Sequence, residues 1–251
     1  FAMRFLLTEK RERKLRLRTS ALLRSAARAR RLVRKRELVS LLGLAQSSDL
    51  ALPLVRLWLR AAWDDSTSRP GWTGRVRLSR QTLADLHQFT QLRRSKHVGK
   101  PIALLPDTAV AHVDAGPYGW GGRLQRGHPP QWGFWTPSEA ALHITWRELR
   151  AVRLFVLRHL GELAGRRLLL HEDNTGVVAM VHSLTSKSPL LMAELRLLVE
   201  VLSTHDISLR AQYIRSADNW DADYQSRMVR PHEYRIALEV FEQLSATWGA
   251  C

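Results

Sequence analysis

The chain has 251 residues, of which 45% are hydrophobic and 25% charged, so it is long enough to bury a sizeable core. Its net charge of +16 and pI of about 11.2 favour polyanionic partners, with nucleic acid ahead of an anionic membrane surface or an acidic protein. The one cysteine, Cys251, excludes an internal disulfide framework and a cysteine-based zinc site, and apolar runs such as residues 197–202 are far shorter than a membrane span.

The first hundred residues have the pattern of a basic helical region. Residues 10–36 contain thirteen Lys or Arg residues and one acid, and their apolar residues recur at three- and four-residue spacings. This predicts one or two basic amphipathic helices, which we expect to bind nucleic acid through its phosphates. Further helices are predicted at residues 36–42 with Gly43 as C-cap, at 50–63, and at 79–94 with Ser79 as N-cap. Apart from a turn-rich stretch at 64–74, residues 1–100 are therefore predicted to be all-helical.

The pattern changes near Pro101, where alternating residues and short apolar runs predict an α/β region over residues 101–230. The predicted strands cover residues 109–114, 118–125, 131–135, 167–171 and 207–214. The predicted helices cover residues 145–163, 174–184, 189–203, 219–228 and, within a last segment 231–251, residues 231–246. Glycines between residues 116 and 122 mark a tight turn, so the first three strands should form an antiparallel meander. The prediction is a mixed five-stranded sheet flanked by helices and preceded by the helical basic region.

Four acids lie where functional carboxylates collect in α/β layers. Asp114 ends the first predicted strand, Glu148 lies near the start of the long helix, Asp173 follows the fourth strand, and Asp223 lies near the start of a later helix. Each alone fits a surface acid or a helix N-cap better than a functional residue. Together they form a set of oxygen ligands of the kind that Mg²⁺ prefers.

The segments around these acids resemble, in order, the sequence blocks of retroelement ribonuclease H domains. The matching blocks are HVDAG at 112–116 with GWGG at 119–122, HITWREL at 143–149, DNT at 173–175 and NWDADYQSR at 219–227. The resemblance is strongest to the reverse transcriptase–ribonuclease H polyprotein of DIRS-type (tyrosine-recombinase) retrotransposons, and it covers about residues 108–228. Upstream, residues 5–10 and 38–44 resemble the end of the polymerase palm and the thumb and connection that lead into the nuclease.

The resemblance implies a ribonuclease H-like fold and cleavage of the RNA strand of RNA–DNA hybrids. It implies that Asp114, Glu148, Asp173 and Asp223 hold two Mg²⁺ ions, with Mn²⁺ as a possible substitute. Asp114 and Asp173 would anchor the main site, Glu148 would serve one ion and position water, and Asp223 would complete the other. The expected partners are the hybrid and the upstream polymerase domain of the same polyprotein, with no membrane and no small-molecule cofactor.

One position departs from the family pattern. Many relatives have a histidine ten residues before the last aspartate, and here that position is Tyr213. Histidine shuttles a proton near neutral pH, whereas a tyrosine of ordinary pKa does so poorly. The neighbouring acids Asp218 and Asp221 are interpreted as solvated or capping residues, with metal binding as the lesser alternative. His112 is interpreted as a packed histidine.

Three functional hypotheses stay open at this stage. The first is an active metal-dependent nuclease, the second a nucleic-acid-binding or structural module that keeps the fold without turnover, and the third a DNA nuclease or resolvase with the same acid set. The paired aspartates of a polymerase are absent, since Asp64-Asp65 lies in a turn-rich stretch. The chain begins with Phe and lacks a secretory signal, so we expect a piece of a longer intracellular protein, cytoplasmic or nuclear.

Overall fold

The structure is a computed structural model, and it describes residues 4–92, 99–102, 106–125 and 127–227. The helices are α1 Glu9–Arg28, α2 Lys35–Gln46, α3 Val55–Thr67, α4 Arg80–Thr90, α5 Pro137–Ala140, α6 Ile144–Arg158, α7 Leu160–Leu163, α8 Thr175–Ser183, α9 Pro189–Thr204 and α10 Trp220–Arg227. The strands are β1 Arg4–Phe5, β2 Leu32–Arg34, β3 Arg75–Arg77, β4 Lys100–Pro101, β5 Ala109–Ala115, β6 Gly119–Leu124, β7 Gln131–Phe134, β8 Arg167–Glu172 and β9 Ser208–Tyr213.

The chain divides into two compact units that do not follow the chain order. The first unit consists of residues up to Asp107 together with Ala179–Thr204, and the second consists of Thr108–Val178 and the residues from His205 onward. Helix α9 therefore belongs with the basic helical region, although it lies between two strands of the sheet in the sequence. The three-part division predicted at residues 1–100, 101–230 and 231–251 stays a prediction, and the last helix predicted at 231–246 lies outside the described residues.

The first unit is built around the buried faces of four helices. Leu15, Leu38, Leu42 and Phe89 are fully buried in one apolar cluster, and the ring of Trp58 meets that of Phe89 edge-on at 5.5 Å. Helix α1 presents one apolar face to this core and leaves basic residues on the other. Its exposed basic residues, referred to here as the cationic face of α1, are Lys10, Arg13, Lys14, Arg18, Arg24 and Arg28.

Several details of the first unit differ from the sequence prediction. The region is not all-helical, because β2 pairs with β3 and β1 with β4, each as an antiparallel two-stranded sheet. Gly43 is not a C-cap: α2 continues through it to Gln46, since Ala45 is buried in the core. Asp65 lies inside α3 rather than in a turn, and its carboxylate accepts hydrogen bonds from the Ser79 N–H at 2.7 Å and the Thr82 hydroxyl at 2.6 Å. Ser79 is the N-cap of α4 as predicted.

The second unit contains a five-stranded sheet with the order β7-β6-β5-β8-β9. Strands β5, β6 and β7 form an antiparallel meander, while β8 runs parallel to both β5 and β9. Helix α6 packs on β5 and β6 on one face of the sheet, and α10 packs on β5, β6 and β7. The predicted α/β fold, a mixed five-stranded sheet flanked by helices, is confirmed.

The long helix predicted at residues 145–163 is interrupted at His159. The His159 backbone leaves the helical region with φ −112° and ψ 27°, and its N–H is shared between the carbonyls of Phe155 and Val156. Its ring Nδ1 lies 3.0 Å from the Phe155 carbonyl as well. A side chain that competes for the carbonyl four residues back ends the regular helix here, and α7 follows as a short separate turn.

Candidate active site

Asp114 lies near the end of the central strand β5, and the turn that follows it is held from two sides. The Gly116 carbonyl accepts hydrogen bonds from Trp135 Nε1 at 3.1 Å and from Arg147 Nη1 at 2.9 Å. Trp135 directly follows β7 and Arg147 lies in α6, so tertiary contacts fix the position of the end of β5. Asp114 itself is 6% exposed.

Two glycines allow α10 to approach the sheet closely enough to touch Asp114. A Cβ at Gly116 would lie 2.7 Å from the Ser226 carbonyl oxygen, and one at Gly121 would lie 2.4 Å from Gln225 Cβ. With only hydrogens at these positions, Ser226 Oγ reaches Asp114 and donates a short hydrogen bond to Oδ2. The sequence prediction assigned these glycines to a tight turn, but Gly121 lies inside β6 and serves close packing instead.

Asp114, Glu148 and Asp173 form the centre of the site. One carboxylate oxygen from each lies within 4.8 Å of the other two. The three acids come from the end of β5, from α6 and from the residue after β8, and β5 and β8 are parallel neighbours in the sheet. These elements meet at the carboxyl ends of β5 and β8, and their meeting brings together carboxylates that are far apart in sequence.

Burial and mutual repulsion make the charged form of Asp114 unfavourable. Burial raises the pKa of Asp114, the hydrogen bond from Ser226 lowers it in part, and the charges of Asp173 and Asp223 raise it further. A carboxyl group in such surroundings either keeps a proton or needs a cation beside it.

Glu148 and its neighbour Glu172 show the same effect more strongly. Burial, together with the charges of the nearby Glu172, Asp114 and Asp173, raises the pKa of Glu148 to about 10. Burial also raises the pKa of Glu172 well above its ordinary value, although its Oε1 accepts a hydrogen bond from the Asn174 N–H at 3.1 Å. The Oε2 atoms of Glu148 and Glu172 are buried and have no hydrogen-bond partner among the described residues. Unpaired carboxylate oxygens in a cluster of acids fit a hard divalent cation.

Glu172 is the acid that sequence reasoning passed over. It ends β8 on the same face as Leu168 and Leu170, and all three are fully buried. The alternation along the strand predicts this orientation, because residues two apart share a face. The alternation along β8 does not predict that Glu172, at the end of this buried face, lies beside Glu148.

Asp173 is not the N-cap of the helix that follows it. Helix α8 begins at Thr175, and the Asn174 Oδ1 atom accepts hydrogen bonds from the backbone N–H groups of Gly176 at 2.9 Å and Val177 at 3.3 Å. Asn174 therefore caps the helix, which leaves the carboxylate of Asp173 without that structural role.

The fourth predicted ligand, Asp223, is not part of the 4.8 Å cluster of Asp114, Glu148 and Asp173. It lies in α10, where its Oδ1 is 2.6 Å from Arg227 Nη2, and its side chain is 37% exposed. It is close enough to raise the pKa of Asp114. The structure thus brings three of the four acids together and places Asp223 at their edge.

The other residues named in the sequence analysis lie outside the cluster of Asp114, Glu148 and Asp173. Asp218 is exposed and pairs with Arg215 at 3.5 Å, which fits its interpretation as a solvated acid, whereas Asp221 is half-buried and pairs with Arg123 at 3.0 Å. Tyr213 ends β9 and is 49% exposed. His112 packs beside the ring of His171 on the neighbouring strand, with His112 Nε2 3.0 Å from His171 Nδ1. Among the described residues, no helix is both long and apolar enough to cross a membrane.

Comparison with known proteins gives matches among solved structures. No protein-family model and no curated protein sequence matches the chain. The chain is similar to RNase H1 from the halophilic archaeon Halobacterium salinarum NRC-1, with 16% identity, a TM-score of 0.40, and coverage of 47% of this chain and 92% of that chain. It is also similar to LC11-RNase H1 in complex with an RNA/DNA hybrid, with 13% identity, a TM-score of 0.39, and coverage of 47% and 93%.

A third similarity extends over more of the chain. The foamy viral protease-reverse transcriptase in complex with dsDNA shares 13% identity, with a TM-score of 0.35 and coverage of 84% of this chain. This chain spans 42% of the length of that viral protein.

Proposed function

We propose that this chain is a ribonuclease H-type endonuclease that hydrolyses the RNA strand of RNA–DNA hybrids. The observation that carries the proposal is the convergence within 4.8 Å of Asp114 and Asp173, at the ends of two parallel strands, with Glu148 from α6. Three buried or half-buried carboxylates repel one another, so the arrangement is unfavourable for a purely structural role and suited to a cationic ligand.

Asp114, Glu148 and Asp173 would hold divalent metal, with Asp223 completing the site from α10 and Mg²⁺ as the expected ion. Bound metal would supply an activated water and stabilise the leaving oxygen of an in-line phosphoryl displacement. The chain's own residues prepare the site: Ser226 orients Asp114 by its hydrogen bond, and Arg147 fixes the turn behind it.

The ordered sequence blocks extend the proposal to a biological setting. We infer that the chain belongs to a retroelement reverse transcriptase polyprotein of the DIRS type, with a polymerase domain upstream as its partner. The pairing of a basic helical region with an acidic site supports this inference, because a polyanionic duplex has to be held while one strand is cut.

The proposal is tested by digestion of labelled RNA–DNA hybrid with the purified chain, beside duplex RNA and duplex DNA, with and without Mg²⁺. We expect cleavage of the hybrid alone, only with the ion, and loss of cleavage in Asp114→Asn. A matched control is Asp218→Asn, since Asp218 is an exposed acid paired with Arg215 away from the cluster. Cleavage of duplex DNA in preference to hybrid would support a DNA nuclease or resolvase instead.

Tyr213 favours one alternative, a module that keeps the fold and binds hybrid without turnover. Its exposed ring at the end of β9 stands where relatives have a proton-shuttling histidine. Tyr213→His separates the two functions: a large gain in cleavage rate from a near-zero level supports the non-cleaving module, whereas measurable cleavage by the unmodified chain contradicts it.

A further inference from the structure

The first unit carries an exposed cluster of arginines that the proposed nuclease site does not use. Strands β2 and β3 pair with Arg34 opposite Arg75 and Leu32 opposite Arg77. Val33 and Val76 are buried on one face of this two-stranded ribbon, so Arg34, Arg75 and Arg77 share the other face and all three are exposed. These three residues form what we name the arginine ribbon.

The charge of the ribbon is unfavourable for the isolated protein. The Lys35 N–H donates to the Gly74 carbonyl, which makes Arg34 and Arg75 a non-hydrogen-bonded pair, the kind whose Cα atoms lie only about 4.5 Å apart. Like charges directly opposite each other destabilise a strand pair. Residues 28–36 contain six Lys or Arg residues and residues 69–80 contain four, and neither stretch contains an acid.

Little in the described part of the chain neutralises this charge. Arg34 has one ion pair there, with Glu37 at 3.9 Å between two exposed side chains, and such a pair contributes little. Arg75 and Arg77 have none among the described residues. The arginines of this surface are not neutralised, and their repulsion destabilises the strand pair. Such a surface is suited to a polyanion, which neutralises the arginines when it binds.

The chain also enters the ribbon through a strained turn. Arg30 and Arg31 follow α1 with positive φ of 49° and 70°. This left-handed region normally favours glycine, and a side chain there costs about 1–2 kcal/mol per residue. Two arginines in succession are therefore kept at positions where glycine would be more stable, and both add charge beside β2.

An exposed aromatic residue precedes the arginine ribbon in the chain. Trp72 is 66% exposed and lies in the loop 68–74 that leads directly into β3. Lys35 holds both ends of this loop: its Nζ donates to the Arg69 carbonyl at 2.6 Å and its N–H to the Gly74 carbonyl at 3.0 Å. The loop is thus anchored at both ends, and it exposes Trp72 to solvent three residues before Arg75.

We propose that the arginine ribbon and Trp72 bind single-stranded nucleic acid, with the arginines on phosphates and the indole stacked on an unpaired base. Guanidinium groups bind phosphate oxygens in pairs, and Arg75 and Arg77 are about 7 Å apart along the strand, a spacing suited to successive phosphates. An indole ring needs an unstacked base, which a duplex does not offer and a single strand does. This site belongs to the first unit and is independent of the acids of the sheet.

The test measures the anisotropy of a labelled single strand of about 12 nucleotides, titrated with the full chain in EDTA at several salt concentrations. Because EDTA removes divalent metal, the result does not depend on the proposed nuclease activity. We expect Arg75→Gln and Arg77→Gln each to reduce the slope of log affinity against log salt by about 0.7. Arg56→Gln is the matched control, since Arg56 is exposed on α3 but pairs with Asp49 at 3.3 Å, and its slope should not change.

Stacking is tested with Trp72→Ala, Trp72→Phe and an abasic strand of the same length. Loss of one stacked base weakens binding about 5- to 150-fold, so Trp72→Ala should lose at least fivefold affinity for the normal strand and none for the abasic strand. Trp72→Phe should keep most of the affinity. Thermal melting checks the fold: Arg75→Gln should melt at the same temperature or higher, because it removes a like-charge pair.

Three outcomes would overturn the proposal. Equal slope changes for Arg56→Gln and Arg75→Gln would mean that net charge alone attracts the strand. If Trp72→Ala lost the same affinity for the normal strand and for the abasic strand, stacking of Trp72 on a base would be refuted. Tighter binding to anionic phospholipid vesicles than to the strand, lost in Trp72→Ala, would assign the surface to a membrane instead.

Discussion

Replacing Glu148 by Gln should stabilise the metal-free protein and remove part of its pH dependence. Glu148 is 5% exposed, and burial together with the neighbouring acids raises its pKa from 4.5 to about 10. The unfolded chain releases this proton above pH 4.5, whereas the folded protein retains it, so stability that is present below pH 4.5 is lost as pH rises toward 10. At pH 7 the loss is at most about 3 kcal/mol, and less where Glu148 and Glu172 titrate as a pair.

The measurement is thermal unfolding in EDTA from pH 4.5 to pH 9. Glutamine keeps the shape and the hydrogen bond from the Ala115 N–H, but it has no charge to bury. The melting temperatures of Glu148→Gln and the unmodified chain should coincide near pH 4.5 and diverge as pH rises, by several degrees at pH 7. Added Mg²⁺ should raise the melting temperature of the unmodified chain more than that of the variant.

A matched control uses Asp218→Asn, an exposed acid paired with Arg215 outside the cluster. Its melting curve should follow that of the unmodified chain at every pH. A Glu148→Gln variant that melted below the unmodified chain by a constant amount from pH 4.5 to 9 would contradict this prediction. That result would mean that Glu148 is charged and satisfied in the folded protein without metal.

Three further predictions concern other parts of the chain. Asp173→Asn should leave the melting temperature in EDTA unchanged or higher and reduce hybrid cleavage by orders of magnitude, because Asn174 is the helix cap; undiminished cleavage would remove Asp173 from the site. Changing the basic residues of the cationic face of α1 to Gln should weaken duplex binding in low salt, with the salt slope reduced by about 0.9 per lost phosphate contact, and an unchanged slope would contradict it. Gly121→Ala should lower the free energy of unfolding by about 1–3 kcal/mol in chemical denaturation, since its Cβ would lie 2.4 Å from Gln225, whereas Gly161→Ala, with open space around it, should not; equal effects would refute the close-packing role.

The sheet and the three clustered acids were predictable from sequence because both depend on short-range patterns. Alternation and apolar runs indicate the strands, and an acid directly after a strand, such as Asp173, lies by geometry at a sheet edge. The position of Glu172 beside Glu148 was not predictable, since it depends on how α6 packs on the sheet. The same holds for Gly121, whose role depends on a helix that follows a hundred residues later.

The first unit was predicted less well, for a related reason. The β2–β3 ribbon joins residues more than forty positions apart, and each strand is only three residues long. Neither strand has enough length to show alternation. The end of α6 at His159 was missed because a side-chain contact with the helix backbone, rather than a proline or glycine, interrupts it.

The assignment of α9 to the first unit bears on how the chain folds as it is synthesised. Arg196 on α9 donates two 2.7 Å hydrogen bonds to Asp85, whose carboxylate is buried in α4. Until residue 196 has left the ribosome, Asp85 lacks this partner, and a buried carboxylate without one is strongly unfavourable. Four of the five strands of the sheet precede α9 in the chain, so the first unit cannot be completed before most of the second has been synthesised. The two units should therefore mature together rather than in sequence order.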